Sequence, residues 1–282
     1  MAEIAIVTDS TAYLPRELVK EYDIQVIPTK VIFGERTFRD GVDITPDRFY
    51  HMLAEAETLP TTTQPSVGEF QELYTRLGQE TEAIVSVHIS KDLSGTIASA
   101  MNARANISSL PIYIIDSRST SMGLGFVTLA AARAAREGKK LPEVVKAAED
   151  LVPKMNVIFV VDTLEYLRKG GRIGGAAALA GSMLKIKPIL YINRGRIEAL
   201  ERARTRIKAR GRLLEIVAER VGSASKVHAA VVHAAAPEEA QTLHDQIARS
   251  FDCAELHVAE ISPVVGTHVG PGTLGIAFYG ER

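Results

Sequence analysis

Three times in its first half the chain repeats one pattern: a short aliphatic run, a loop of small hydroxyl and acidic residues, then a helical stretch. Residues 4–7 lead through Thr8, Asp9, Ser10 and Thr11 to a helix opened near Pro15 and running to Glu21. Residues 83–88 lead through the loop 90–94, and residues 111–115 through the loop 116–121, each into another helical stretch. Repeated strand, polar loop and helix restricts the fold to α/β, with a parallel sheet whose loops gather at the carboxyl ends of its strands. Ligands of open α/β sheets bind at that edge.

The second half breaks the pattern. A helix is expected over residues 142–152, Pro153 and Lys154 interrupt it, and an apolar run follows at 157–161. Residues 186–193 and 196–200 flank a turn at Arg194 and Gly195 and predict a hairpin. Residues 227–233, 256–261 and 273–279 predict further strands, with helices at 207–221 and 237–250 covering one face. The expected architecture is therefore an N-terminal α/β domain with a parallel sheet (1–153) and a C-terminal α+β domain with a largely antiparallel sheet (154–282).

Hydrophobic residues make up 46% of the 282 positions and charged residues 24%, the balance of a globular protein. The formal net charge of −1 gives no bulk field toward nucleic acid or an anionic membrane. A lone cysteine, Cys253, excludes an internal disulfide and suits a reducing compartment. The N-terminal segment lacks the basic region, long apolar core and cleavage site of a signal peptide. The apolar runs are far shorter than the ~20 residues of a membrane span. A cytoplasmic location is expected.

Several common chemistries lack their residues. Gly270, Gly272 and Gly275 match the spacing of a dinucleotide loop, but only seven residues follow and no βαβ unit fits, so a tight turn is expected. There is no Walker phosphate loop, no HExxH pair and no GxSxG elbow. His228 and His233, at odd spacing in one strand, face opposite sides; His51, His244 and His257 read as surface or half-buried side chains. No metal and no cofactor are expected.

More telling are the hydroxyl-rich loops: Thr61, Thr62, Thr63, Gln64 and Ser66; Ser94, Gly95 and Thr96; Asp116, Ser117, Ser119 and Ser121. Each alone serves as a helix cap or turn. Converging at a sheet edge, they form a donor-rich site without formal charge. Such a site suits one carboxylate, which helix amides and hydroxyls can hold where desolvating a Lys or Arg would be costly.

Seven blocks then carry a resemblance: TDSTAYLP (8–15), TTTQPSVGEF (61–70), ISKDLSGTIASA (89–100), DSRSTSMGLG (116–125), TLEYLRKGGRIG (163–174), KIKPIL (185–190) and PVVGTHVGPGTLGI (263–276). In this order over nearly the whole chain, the sequence resembles the DegV family. The resemblance implies a protein that binds a long-chain fatty acid between two α/β domains and is not itself an enzyme. It further implies that the acid's carboxylate is presented to a separate ATP-dependent fatty acid kinase subunit; the balanced charge and the absence of aromatics interleaved with the basic residues leave no nucleic-acid partner expected, and at most transient membrane contact. By block alignment Thr62, Ser94 and His268 hold the carboxylate, with Thr61 or Thr63 as alternatives to Thr62 because this chain reads TTTQPS where Ser is usual. Gly95 and Gly266 flank the carboxylate residues, and Arg172 lies beside them or contacts the partner.

The residues themselves agree. Ser94 opens a predicted helix, and His268 is expected in a loop between Gly266 and Gly270 with room for a ligand. An acyl hydrolase or transferase using Ser94 and His268 is the alternative. The basic stretch Arg194, Arg196, Arg202, Arg204, Arg206, Lys208, Arg210 and Arg212 is either a solvated face or a docking surface; the resemblance favours docking, through Arg202, Arg204 and Arg206.

Overall fold

The computed structural model describes residues 3–108, 110–224 and 226–281, apart from the side chains of residues 180–185. The repeated pattern forms a parallel sheet of β1 (Ile4–Asp9), β2 (Gln25–Ile27), β6 (Ala83–His88) and β7 (Ile112–Asp116), in the order β2-β1-β6-β7. Every residue of β1 and β6 is buried, because a parallel strand in the middle of a sheet is covered on both faces. Ala5, Val7 and Ile84 face Phe70 and Tyr74 of α3 (Val67–Leu77) and Ala100 and Ala103 of α4 (Thr96–Ala105). Ile6, Val85 and Val87 face the other way, onto α5 (Ser121–Arg136), with α6 (Leu141–Leu151) packed beside it.

Helix α5 sets how the two halves meet. Its sequence SMGLGFVTLAAARAAR is apolar nearly all round, so it can only be a buried helix. It packs against β1 and β6 on one side and against β11 (Lys226–His233) and β13 (Leu274–Glu281) on the other. Each of Leu124, Phe126 and Leu129, almost wholly buried, contributes roughly 1.5–3 kcal/mol. Gly123 admits this packing: a Cβ there would stand 2.5 Å from Val157 of the second sheet.

That second sheet adds β8 (Asn156–Val160), β9 (Lys187–Asn193), β10 (Arg196–Ala203) and β12 (Cys253–Glu260), in the order β10-β9-β8-β13-β11-β12. All its neighbours are antiparallel except β11 and β12. The β9–β10 hairpin turns at Arg194 (φ 49°) and Gly195 (φ 92°), the two positive values that a two-residue hairpin with matched twist requires. Val231, Ile276 and Phe278 face α8 (Arg206–Val221) and α9 (Pro237–Ser250), while Val157, Phe159, Ala230 and Val232 face α5. The molecule is thus α/β with a parallel sheet and a mostly antiparallel mixed sheet. The division expected after residue 153 falls in the short turn Val152–Lys154, and α5 shares one continuous core with both sheets.

A third sheet was not anticipated from the sequence. Strands β3 (Lys30–Phe33), β4 (Arg36–Arg39) and β5 (Thr61–Thr63) form a small antiparallel sheet in the order β4-β3-β5. It carries the first hydroxyl block on a strand rather than on a loop. The other α-helices among the described residues are α1 (Arg16–Glu21), α2 (Pro46–Glu55), α7 (Glu165–Lys169) and α10 (Pro263–Val269). Among the described residues, no helix is long and apolar enough to cross a membrane.

Candidate functional site

The loops at the carboxyl edge of the parallel sheet open onto the inner face of the second sheet, and a cavity lies between them, about 850 Å³ of empty space when the open solvent at its mouth is included. Val157, Phe159, Ile192, Val232 and Ile261 give it an apolar wall. Among its polar residues are the expected ones, from four separate segments: Thr62 and Thr63 of β5, Ser94 before α4, Arg172 after α7 and His268 of α10.

His268 sits differently from expectation. It lies in the last turn of α10, not in a loop. Two flanking glycines suggested irregular backbone, but Val264, Val265 and Val269 bury themselves in the core, and Ser262 caps the helix by accepting from the Val265 amide at 3.2 Å. Only Gly270, at φ 76°, ends it. The buried carboxyl of Asp40 reaches the amino end of the same helix, accepting from the Val264 amide at 3.5 Å and the Thr29 hydroxyl at 3.4 Å. Burial pushes Asp40 up to about 7 against these hydrogen bonds.

Thr62 and His268 meet directly, Oγ1 to Nε2 at 2.9 Å. Burial, with the nearby Arg172 guanidinium adding to it, brings His268 down to about 4, so at neutral pH it is an uncharged imidazole able to hydrogen-bond rather than a counter-ion. Ser94 Oγ contacts Thr96 Oγ1 at 2.8 Å and accepts from the Thr96 amide at 3.3 Å at the start of α4. It is not bonded to His268, so the pair named in the hydrolase alternative is not joined.

Arg172 ties the site together. Its Nε donates to the Leu93 carbonyl at 3.1 Å and an Nη donates to the Gly170 carbonyl at 2.6 Å. One side chain thereby fixes the loop that carries Ser94 and the loop that packs on His268. Gly170 is part of the machinery although the sequence did not single it out. A Cβ there would stand 2.2 Å from His268 Nδ1, so only glycine leaves room for the ring. The run of two glycines before Arg172 was the available signal.

The other expected residues lie apart. Thr61 is exposed on β5, and Thr62 on the same strand is half-buried. Gly95 is exposed, its hydrogen facing Gln64. Gly266 packs on α2, where a Cβ would stand 2.6 Å from the Tyr50 hydroxyl, and it is not part of the cavity wall. Ser66 caps α3 in a reciprocal box with Glu69, while Ser117 and Ser119 hold the turn after β7. Within the basic stretch, Arg202 and Arg204 are exposed, whereas Arg206 bonds Glu239 at 2.9 Å and approaches Asp162 at 3.6 Å. Arg212 is surrounded by Glu201, Glu215 and Glu219. No cluster of metal ligands occurs among the described residues.

An α/β molecule whose largely apolar cavity between two sheets is also lined by hydroxyls, a neutral imidazole and a guanidinium has the features of a small-molecule binding protein. The chain belongs to the DegV family, whose model, described as "Uncharacterised protein, DegV family", matches residues 3–281. It is 43% identical over 275 residues to a DegV domain-containing protein of Streptomyces coelicolor, covering 97% of each chain. Two solved structures superpose closely. A DegV family protein from Thermus thermophilus, described by its fatty acid binding, gives a TM-score of 0.94 at 34% identity with 99% of each chain covered. DegV from Bacillus subtilis, described as a fatty acid binding protein, gives 0.92 at 35% identity with 100% of each covered.

Proposed function

We propose that this chain holds a long-chain fatty acid in the cavity between its sheets and presents the carboxylate to a separate ATP-dependent kinase subunit in the cytoplasm, without catalysing a reaction alone. One observation carries the reading: the bonded Thr62–His268 pair and Ser94 line one largely apolar cavity. A chain of about sixteen carbons gains roughly 12 kcal/mol gross at ~0.8 kcal/mol per buried methylene, part of which is spent on lost motion. The tail thus supplies affinity and the polar end supplies orientation. A carboxylate there meets hydroxyls, a neutral imidazole and the amide end of α4, with the Arg172 charge nearby. The description of the two structural neighbours as fatty acid binding supports the ligand, and the family resemblance supports the kinase partner. The chain's lack of a Walker phosphate loop agrees with ATP being held elsewhere.

The test begins with the purified protein, denatured and extracted into organic solvent. Long-chain free fatty acid should be released in near one-to-one amount. Absence of lipid, with no rise in melting temperature on adding fatty acid, refutes the binding reading. Phosphoryl transfer to the bound acid on adding a cognate kinase subunit and ATP tests presentation, and turnover of an activated acyl ester by the chain alone would establish the hydrolase instead.

A further inference from the structure

Two hydroxyls on the cavity wall are left over once the carboxylate end is assigned. Thr11, Thr29, Thr62, Thr63, Ser94 and Thr273 also line the cavity, and each has a hydrogen-bond partner. Thr120 Oγ1 and Ser121 Oγ are buried in the same wall and have no partner among the described residues. Ser121 is only 4% exposed. A buried hydroxyl left unbonded has lost its water with nothing in return, so two together are costly unless something bonds them in use.

They stand at the amino end of α5, a helix of sixteen residues whose first amides carry partial positive charge. Thr120 is the N-cap, yet its side chain makes no capping bond. Ser121 adopts φ 52°, a conformation rarely taken by residues other than Gly, Asn and Asp. This end belongs to the loop after β7, whereas the carboxylate residues come from β5, α10 and the loop after β6. The cavity they share with Val157 and Ile192 has a largely apolar wall. A second carboxylate would bring a charge with no cation bonded beside it, because Arg172 is engaged with Leu93 and Gly170. A neutral oxygen fits: hydroxyls can donate or accept, and helix amides donate.

We propose that Thr120 and Ser121 form a second polar subsite that recognises a hydroxyl or keto oxygen on the acyl chain, so that the cavity selects oxygenated long-chain acids. This rests on the fatty-acid reading above. The experiment uses the full chain, stripped of lipid and titrated with octadecanoic acid and with a positional series of hydroxyoctadecanoic acids. One position in the series should bind about tenfold or more tighter than the parent acid. The readout is that ratio in wild type, in Thr120→Val, which keeps the shape, and in Ser121→Gly, which keeps the backbone angle. The ratio should collapse toward one or below in both variants. No preferred position, or a preference that survives in both variants, overturns the subsite and implies that the hydroxyls bind only water. If octadecanoic acid and every hydroxy acid fail to bind, the fatty-acid reading itself falls, and the subsite with it.

Discussion

Replacing Gly170 with alanine isolates the His268 contribution without touching any polar group. Gly170 has ordinary angles, φ −76° and ψ −5°, so the substitution carries no backbone strain and space alone decides. The new methyl would stand 2.2 Å from Nδ1 and 3.0 Å from Cε1 of His268. Since non-bonded heavy atoms settle near 3.5 Å, the ring must turn or retreat by about 1 Å. Either movement disrupts the 2.9 Å contact with Thr62 and removes the imidazole from the carboxylate. A lost hydrogen bond to a charged group is worth about 1.5–3 kcal/mol, or roughly 10- to 150-fold in affinity. Calorimetric titration of lipid-free Gly170→Ala, His268→Ala and the double variant with hexadecanoic acid reads this as a cycle. The double variant should bind no more weakly than His268→Ala alone, because both remove one interaction. Wild-type affinity in Gly170→Ala, or full additivity of the two losses, refutes the positioning role.

Two further outcomes follow from the same geometry. His268, held near 4 against an ordinary value of 6.5, takes up its proton later in the fold than in the unfolded chain. Its stability contribution is complete above about 6.5 and is lost as pH falls through 4, up to roughly 3 kcal/mol. Asp40, raised to about 7, works with the opposite sign: its contribution is complete below the unfolded carboxylate value and is lost as pH rises through 7. Denaturant unfolding across pH 4–8 should therefore show His268→Asn gaining stability relative to wild type on the acid side and Asp40→Asn gaining it on the alkaline side. Parallel curves for wild type and both variants would contradict this. In the basic stretch, Arg206→Ala should lower stability by about 1–3 kcal/mol through the loss of its half-buried ties to Glu239 and Asp162, whereas Arg202→Glu with Arg204→Glu should leave the melting temperature unchanged and weaken association with a kinase subunit. A docking test that reverses Arg206 as well would confound unfolding with lost contact.

What could be read in advance divides along a physical line. Strands β1, β6, β8, β11 and β13 announce themselves because a buried strand must be a continuous apolar run, and the loops after them because only small polar residues tolerate a sheet edge. The cap Ser66 with Glu69 is likewise a local signal. The contacts that make the site are not local: Thr62 and His268 are 206 residues apart, and Arg172 reaches a carbonyl 79 residues away. No spacing rule encodes them, and family resemblance supplied Thr62 and His268 where residue chemistry could not choose among three threonines. Resemblance was silent on backbone state, so α10 passed for a loop and β5 for one as well. Both errors share a cause. Pro263 with Val264 and Val265 is too short for helical periodicity to register, and three threonines show no alternation, so in each segment the structure is imposed by what packs on it: the core under α10, and Lys30 to Ile32 of β3 pairing with Thr63 to Thr61. Strand pleat turns Thr61 and Thr62 to opposite faces, so that Thr62 meets His268 and Thr61 stays in water, and the carboxylate role proposed above falls on Thr62 for that reason.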